Sequence, residues 1–241
     1  MRKLAAIALL LCSSSLGSSW LLAQTSTEKL LAEGEKSPTL EKNLRVLTDE
    51  IGGRVPGTPA MDRAVQWGLA AFKAAGGEMV HTEAAPLAAS WSEGNTQIDV
   101  VSPVRFHIRA VSLTWTAPAT SPADGLPVVD AGDGTKEDFQ KAGNLHGAVA
   151  LIHSKNMKTW DDLFDEYLTQ AEKLSVAKKA GAVAVAFIST REQDLLYRHI
   201  GSFNDHISNF PQMLLAREDG ERIARLLAAG KKIRLKYSIP N

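Results

Sequence analysis

The stretch Gly181-Ala182-Val183-Ala184-Val185-Ala186-Phe187-Ile188 decides the fold of this 241-residue chain. Every residue after the glycine is apolar, which is typical of a strand covered on both faces. Such strands belong to parallel sheets with helices packed against them. The stretch therefore predicts the centre of an α/β module, and the neighbouring elements can be placed around it.

Short strand patterns alternate with short helix patterns on both sides of this central strand. The predicted strands lie near Phe106–Ala110, Leu126–Ala131, Gly147–His153, Met213–Ala216 and Ile233–Ile239. Thr135 is placed to cap a short helix that stops at Gly143, and Gly230 ends a helix over Glu218–Ala229. A longer helix is lined by Trp160, Leu163, Tyr167, Ala171 and Leu174. Residues 103–241 are thus predicted to form one domain of mixed strands with short flanking helices.

The preceding residues have a different pattern. Two helices are predicted from apolar side chains three or four residues apart, one ending at Gly52-Gly53 and one beginning near Thr58-Pro59. Their apolar positions are Leu40, Leu44, Leu47 and Ile51, then Met61, Val65, Leu69 and Phe72. Two short strands are predicted at Glu78–Ala84 and Thr96–Val101, and Pro103 marks a domain boundary. The expected fold class is α/β (α+β), with two helices and a short partial sheet over residues 24–102.

The first 23 residues have the layout of a secretory signal peptide. Arg2 and Lys3 precede an apolar run from Leu4 to Cys12, and Leu21-Leu22-Ala23 forms a cleavage site. A membrane anchor is the alternative, but five serines interrupt the apolar character well short of the ~20 residues that a span needs. We therefore predict cleavage after Ala23 and a secreted or periplasmic protein.

Composition excludes several function classes. The 27 basic and 27 acidic residues balance, so no net charge attracts nucleic acid. A single cysteine, Cys12, cannot build a disulfide framework or a thiolate zinc site. No Gly-x-Ser-x-Gly hydrolase motif occurs. Gly132-Asp133-Gly134-Thr135 lacks the remainder of a phosphate-binding loop, so we interpret it as a turn.

Candidate metal ligands are few and scattered. His81 and Glu83 would share one face of a strand, although a polar strand face is the favoured interpretation. The densest cluster is His199, Asp205 and His206 in the predicted surface loop Tyr197–Phe210, which could line a pocket but is more simply solvated. The acids Asp161, Asp162, Asp165 and Glu166 lack the pattern of a calcium loop and are predicted to complement a helix dipole. Arg54 and Asp62 flank a loop that they are expected to fix.

The order of several stretches resembles a known family. Leu47 to Pro59, a helix with Ala64, Trp67 and Phe72, and Val80-His81-Thr82-Glu83 are similar to the opening of secreted zinc exopeptidases of peptidase family 28, most closely the carboxypeptidase Q-like subgroup. Later stretches look like the protease-associated (PA) domain inserted in those enzymes. They are Val128-Val129-Asp130, Gly132 to Thr135, Gly147 to Leu151, Ala177 to Ala182, and Gly220 to Gly230.

The resemblance implies a PA domain beside an active-site cleft, where it influences substrate access or partner contacts. The family's zinc ligands follow the PA domain, and this sequence has none of those motifs. We therefore predict no catalytic, cofactor-binding or metal residue in this chain, and zinc only in full-length relatives. The resemblance also implies that the strands near 78–84 and 95–101 lack their partners here.

Two functions remain open at this point. The first is a truncated family-28-like protein that hydrolyses peptide bonds only if a catalytic half is supplied. The second is a stand-alone PA-type module that binds peptides or a protein partner. A metalloenzyme that uses the histidine-containing loop is a third, less favoured hypothesis. The expected partners are peptides or a catalytic peptidase half, with no nucleic acid and no membrane span after signal cleavage.

Overall fold

The computed structural model describes residues 26–197 and 206–241. The predicted signal peptide, residues 1–23, lies outside these ranges. Contacts group the described residues into two units, one with residues 26–54 and 60–80 and the other with residues 55–59, 81–197 and 206–241. Across the described residues, no helix combines the length and apolar character needed to cross a membrane.

The first unit is helical, as its sequence pattern predicts. Residues 26–36 form α1, Pro38–Arg45 form α2, and the chain continues through a π-helical turn at Val46–Ile51. Gly52 ends this turn with a φ of 78°, a conformation that costs glycine little. Most of α3, Pro59–Ala74, follows in the same unit. No residue of α2 or α3 is buried, so these helices build no closed core within their unit.

The second unit contains a nine-stranded sheet within the described residues. Its strands are β1 (Gln97–Ser102), β2 (Phe106–Ile108), β3 (Ala110–Ser112), β4 (Ala119–Thr120), β5 (Leu126–Asp130), β6 (Val149–Ile152), β7 (Ala184–Ile188), β8 (Gln212–Leu215) and β9 (Arg234–Ile239). Their order is β2-β1-β9-β5-β6-β7-β8-β3, and β4 pairs with the end of β9. Only Arg109 separates β2 from β3, the two ends of this order. The sheet therefore curls until its ends are adjacent.

Strands β5 to β8 form the parallel part of the sheet, and its two faces are covered by different helices. These helices are α4 (Lys136–Ala142), α5 (Trp160–Lys179) and α6 (Arg217–Ala228). Val185 and Phe187 of β7 pack in a cluster with Phe139 of α4 and Ala177 of α5. Ile188 belongs to the opposite cluster, together with residues of α6, β1 and β9. The prediction of a central strand buried on both faces is confirmed.

Three details of the sequence prediction are wrong. Residues 78–84 form no strand. Four of the seven side chains are polar and Met79 is 91% exposed, so the stretch buries no apolar face. The strand β1 does not lack partners, since it pairs with β2 on one edge and β9 on the other. Trp160 does not line the buried face of its helix but is 76% exposed. The predicted boundary at Pro103 falls in the connection between β1 and β2.

Candidate ligand-binding cavity

A cavity of about 300 Å³ lies at the carboxyl ends of the parallel strands. Asp133 and Thr135 reach it from the connection after β5, Ser154 from the connection after β6, and Thr190 from the connection after β7. Open sheets with parallel strands bind ligands at this edge, because the connections that leave the strands there converge. Its place in the fold therefore makes this cavity the candidate site.

Helix α5 supplies one wall of the cavity, and a capping box fixes where the helix begins. Thr159 Oγ1 accepts a hydrogen bond from the backbone N–H of Asp162 at 3.3 Å. Asp162 Oδ2 accepts in return from the backbone N–H groups of Thr159 at 3.0 Å and Lys158 at 2.9 Å. These bonds satisfy backbone donors that have no partner inside the helix. The start of α5, and so the orientation of its cavity face, is fixed.

The face of α5 towards the cavity is polar. Its side chains recur every three or four residues, which places them on one side of a helix. They are Asp162, Asp165, Glu166, Thr169, Gln170 and Lys173. The opposite side of the cavity, which we call its floor, is apolar and buried. It consists of Leu113, Met157, Phe187 and Leu214, whose exposed fractions lie between 3% and 6%. The cavity thus presents a polar wall and an apolar floor, the combination typical of small-molecule sites.

Burial changes the acid–base chemistry of two side chains in this wall. Loss of solvent raises the pKa of Glu166 to about 7, against the opposing influence of Lys173 and Arg191. The same loss of solvent lowers the pKa of Lys173, although Asp133 and Glu166 oppose the change. Glu166 can therefore take up or release a proton near neutral pH, unlike an exposed carboxyl.

Asp162 behaves in the opposite way. The ammonium of Lys155 hydrogen-bonds to Asp162 Oδ1, and this contact is the largest cause that holds the pKa of Asp162 well below its usual range. The backbone N–H of Lys158 acts in the same direction. Asp162 stays ionised and holds the helix end, whereas Glu166 has a pKa raised towards neutral pH.

Two polar side chains at the cavity are buried. Thr190 is 2% exposed, and its hydroxyl makes no hydrogen bond among the described residues. Gln170 is 6% exposed. Buried polar groups are nearly always hydrogen-bonded, so the Thr190 hydroxyl is a position at which a bound water is expected.

The metal candidates from the sequence are not brought together. His81 Nε2 lies 3.4 Å from Glu83 Oε1, but both side chains are largely exposed on an irregular segment. His199 and Asp205 lie outside the described residues, and His206 is exposed. In the described parts of the chain, no three side chains of His, Cys, Asp or Glu lie close enough to hold a metal ion.

Other sequence predictions are confirmed in part. Arg54 Nη1 donates to the carbonyl of Leu47 at 2.6 Å and to that of Gly52 at 3.0 Å, so it does fix the chain that follows α2. The stretch Gly132 to Thr135 is a turn, and Thr135 caps α4 in a capping box. Sequence reasoning did not foresee that this turn also lines a cavity.

The residues that sequence analysis missed are Gln170, Lys173 and Thr190. A signal for α5 was present, because Trp160, Phe164 and Leu168 also recur at helical spacing. These apolar side chains are 60–77% exposed, so the polar side of α5 is the one that faces inward. The apolar stripe and the polar stripe lie on opposite sides of α5. Because the apolar stripe faces solvent, the polar stripe faces the cavity.

Comparison with known proteins agrees with this architecture. A family model of the PA domain matches residues 115–223, so the chain contains a PA domain. The cavity lies within this domain, apart from Leu113. No curated protein sequence matches the chain at a significant level.

Solved structures with a similar fold are peptidases. A peptidase M28 precursor from Shewanella amazonensis SB2B is 21% identical, with a TM-score of 0.75 over 90% of this chain and 50% of that chain. An aminopeptidase from Aneurinibacillus sp. strain AM-1 is 21% identical, with a TM-score of 0.52 over 83% of this chain and 42% of that chain. BSAP, a zinc aminopeptidase from Bacillus subtilis, is 19% identical, with a TM-score of 0.52 over 83% and 43%.

These likenesses show that the chain shares its fold with M28 peptidases, as the resemblance in the sequence predicts. The chain spans about half the length of the structures that it matches. One of these structures, BSAP, is a zinc aminopeptidase. A catalytic zinc site needs three protein ligands. The described residues of this chain do not supply such a set, and we assign no catalytic step to zinc here.

Proposed function

We propose that this chain is the PA-domain part of a secreted M28-type metallopeptidase and that it modulates substrate access or partner contacts. Hydrolysis of a peptide bond then requires a catalytic half that supplies the metal ligands. One observation carries the proposal: a PA domain lies in a chain that shares 90% of its length with the fold of a peptidase M28 precursor.

The cavity beside α5 gives this proposal a physical basis. Its floor of Leu113, Met157, Phe187 and Leu214 can bury an apolar side chain of a peptide. Its polar wall offers donors and acceptors for a peptide backbone, among them the side chains of Thr169 and Gln170. A PA domain that holds a peptide in this way controls which peptides reach the rest of an enzyme.

Chemical-shift mapping tests the proposal. The purified mature chain, labelled with ¹⁵N, is titrated with a panel of short peptides that contain leucine or phenylalanine. We expect shifts of the amide signals around α5 and at Thr190, and no cleavage of the peptides. Shifts confined to other surfaces, or no shifts with any peptide, contradict the proposal.

A stand-alone peptide-binding module is the second candidate, and the cavity favours it as well, because binding there needs no catalytic half. The coding sequence that follows codon 241 distinguishes the two. A continuation that encodes a His-x-Asp motif supports the peptidase part. Peptide binding combined with no such continuation supports the stand-alone module.

A further inference from the structure

Helix α5 turns a row of large apolar side chains towards solvent. Trp160, Phe164 and Leu168, which we call the α5 stripe, are 76%, 60% and 77% exposed. They stand four residues apart, so they lie on one side of the helix. Single exposed apolar residues are ordinary on a protein surface, but a contiguous apolar patch marks a surface that binds another chain. The stripe lies on the side of α5 away from the cavity and is separate from the candidate site.

The second half of the same side of α5 carries small side chains. Ala171 and Ser175 continue the line of the α5 stripe at spacings of three and four residues, and both are exposed. A second copy of α5 that runs antiparallel, centred near position 170, sets Phe164 level with Ser175. Leu168 then lies level with Ala171. The large side chains of each copy fill the space beside the small ones of the other, as the packing of helices requires.

The charges along α5 favour the same antiparallel arrangement. Asp161 and Asp165 lie near its start, and Lys178 and Lys179 lie in its last turn; all four are exposed. Asp161 and Lys179 stand about five helical turns apart, so both lie on one side of the helix. Antiparallel pairing centred near position 170 sets Asp161 of each copy beside Lys179 of the other. A parallel pair would bring like charges together, which is unfavourable.

The other charges near the end of α5 leave this pattern in place. Glu172 Oε1 accepts a hydrogen bond from Lys136 Nζ at 2.9 Å, so its charge is balanced within the chain. The ammonium of Lys178 lies 5.0 Å from the centre of the Phe210 ring. Lys179 is therefore the cation that we assign to the contact between copies.

The charges at the start of α5 are consistent with this assignment as well. The ammonium of Lys155 is bonded to Asp162, which faces the cavity. Lys158 precedes the helix and its cap, Thr159. Asp161 forms no ion pair with another described residue. Its carboxylate is available to a second copy of the chain.

We propose that two copies of this chain pair antiparallel through the α5 stripe. A single pair of helices makes a small interface, and interfaces below ~1,200 Å² are typically weak. We therefore expect a dissociation constant on the order of 10 µM. This inference goes beyond the proposed function, because the pairing needs neither a peptide in the cavity nor a catalytic half.

Sedimentation velocity of the full mature chain tests the inference. Between ~1 µM and ~300 µM, the average mass should rise from that of one chain towards that of two. Leu168 lies near the two-fold axis, so Leu168→Glu sets two carboxylates close together and should weaken pairing at least about tenfold. Leu40→Glu changes a leucine of α2 that is 64% exposed and is the matched control, expected to leave the mass unchanged.

Two results of this experiment overturn the inference. One is a chain that stays monomeric at ~300 µM, well above the expected dissociation constant; the stripe then belongs to a contact with a different chain. The other is a Leu168→Glu variant that forms dimers as readily as the Leu40→Glu variant. Circular dichroism confirms that both variants are folded, as their exposed positions lead us to expect.

A mixture of two charge variants tests the antiparallel arrangement. In Asp161→Lys the contact sets two ammonium groups together, and in Lys179→Glu it sets two carboxylates together. Each variant alone should pair about fivefold more weakly than the unmodified protein. Mixed in equal amounts, one copy of each restores both contacts between opposite charges, so dimers should reappear. A mixture that is no more dimeric than either variant alone overturns the inference.

Discussion

Gly220 of α6 lies directly against the side chain of Ile188 at the end of β7. A Cβ atom at Gly220 would stand 2.8 Å from Ile188 Cγ1, closer than real Cβ contacts approach. The absence of a side chain lets α6 pack closely on the sheet, so Ile223 of the same helix is fully buried. This contact supports the sheet at the point where β7 leads into Thr190 and the cavity.

Gly220→Ala should therefore destabilise the PA domain. The added methyl group forces Ile188 or the helix to shift, at a cost of ~1–3 kcal/mol, and the better helix propensity of alanine offsets up to ~1 kcal/mol of it. Urea unfolding should show a lower midpoint with an unchanged slope. Gly68→Ala in α3 is the control, since nothing lies within 4 Å of its added Cβ. Equal midpoints for Gly220→Ala and the unmodified protein would show that the packing is looser than described.

Thr159→Ala should destabilise α5 by ~1 kcal/mol, because the helix loses the side-chain acceptor of its capping box. Thr159→Ser keeps the hydroxyl and should restore most of the loss. Equilibrium unfolding followed by far-ultraviolet circular dichroism measures both changes. If serine is as damaging as alanine, the hydroxyl is not the group that matters.

The raised pKa of Glu166 predicts a pH dependence of stability. Its ordinary value is 4.5 and its folded value is about 7. Between these values the folded protein holds a proton that the unfolded chain has released, so the free energy of unfolding contributed by Glu166 falls as the pH rises. Above about pH 7 the buried carboxylate is charged, and the whole cost of its burial is present.

Glu166→Gln removes this cost. We expect the variant to match the unmodified protein near pH 4.5 and to be more stable at pH 8, by on the order of 1 kcal/mol after allowance for solvent screening. Urea unfolding at both pH values gives the difference. Asp165→Asn removes an exposed carboxylate from the same helix and is the control. If the stability gained by Glu166→Gln over the unmodified protein were larger at pH 4.5 than at pH 8, the prediction would be contradicted.

Signal cleavage can be checked on the protein exported by a Gram-negative host. The predicted leader ends at Ala23, so sequencing of the mature amino terminus should begin at Gln24. Retention of Met1 on a protein that stays inside the cell would contradict the secretory prediction.

The parallel strands were predictable because burial on both faces leaves an unambiguous apolar run, as in Ala184 to Ile188. Capping residues such as Thr135 act locally and were equally visible in the sequence. The curled sheet was not predictable, because the pairing of β3 with β8 joins residues about a hundred positions apart. Pairing between residues so far apart in the sequence depends on the whole fold and not on a local pattern.

The cavity could not be predicted from the sequence for a related reason. Thr190, Lys173 and Leu113 come from three separate parts of the chain, and only the packing of α5 over the strand ends brings them together. In the sequence, Gln170 and Lys173 look like ordinary solvated helix residues. Their role depends on which side of α5 faces inward, and the exposed Trp160, Phe164 and Leu168 reveal this only in the structure.

The proposed function requires a catalytic half for hydrolysis, so this chain alone is expected to cleave no peptide bond. The most direct test incubates the purified mature protein with leucine 4-nitroanilide, with and without added zinc. The account predicts that 4-nitroaniline is released no faster than in the protein-free blank under either condition. Release that zinc stimulates and a chelator abolishes, in proportion to the protein concentration, would contradict it.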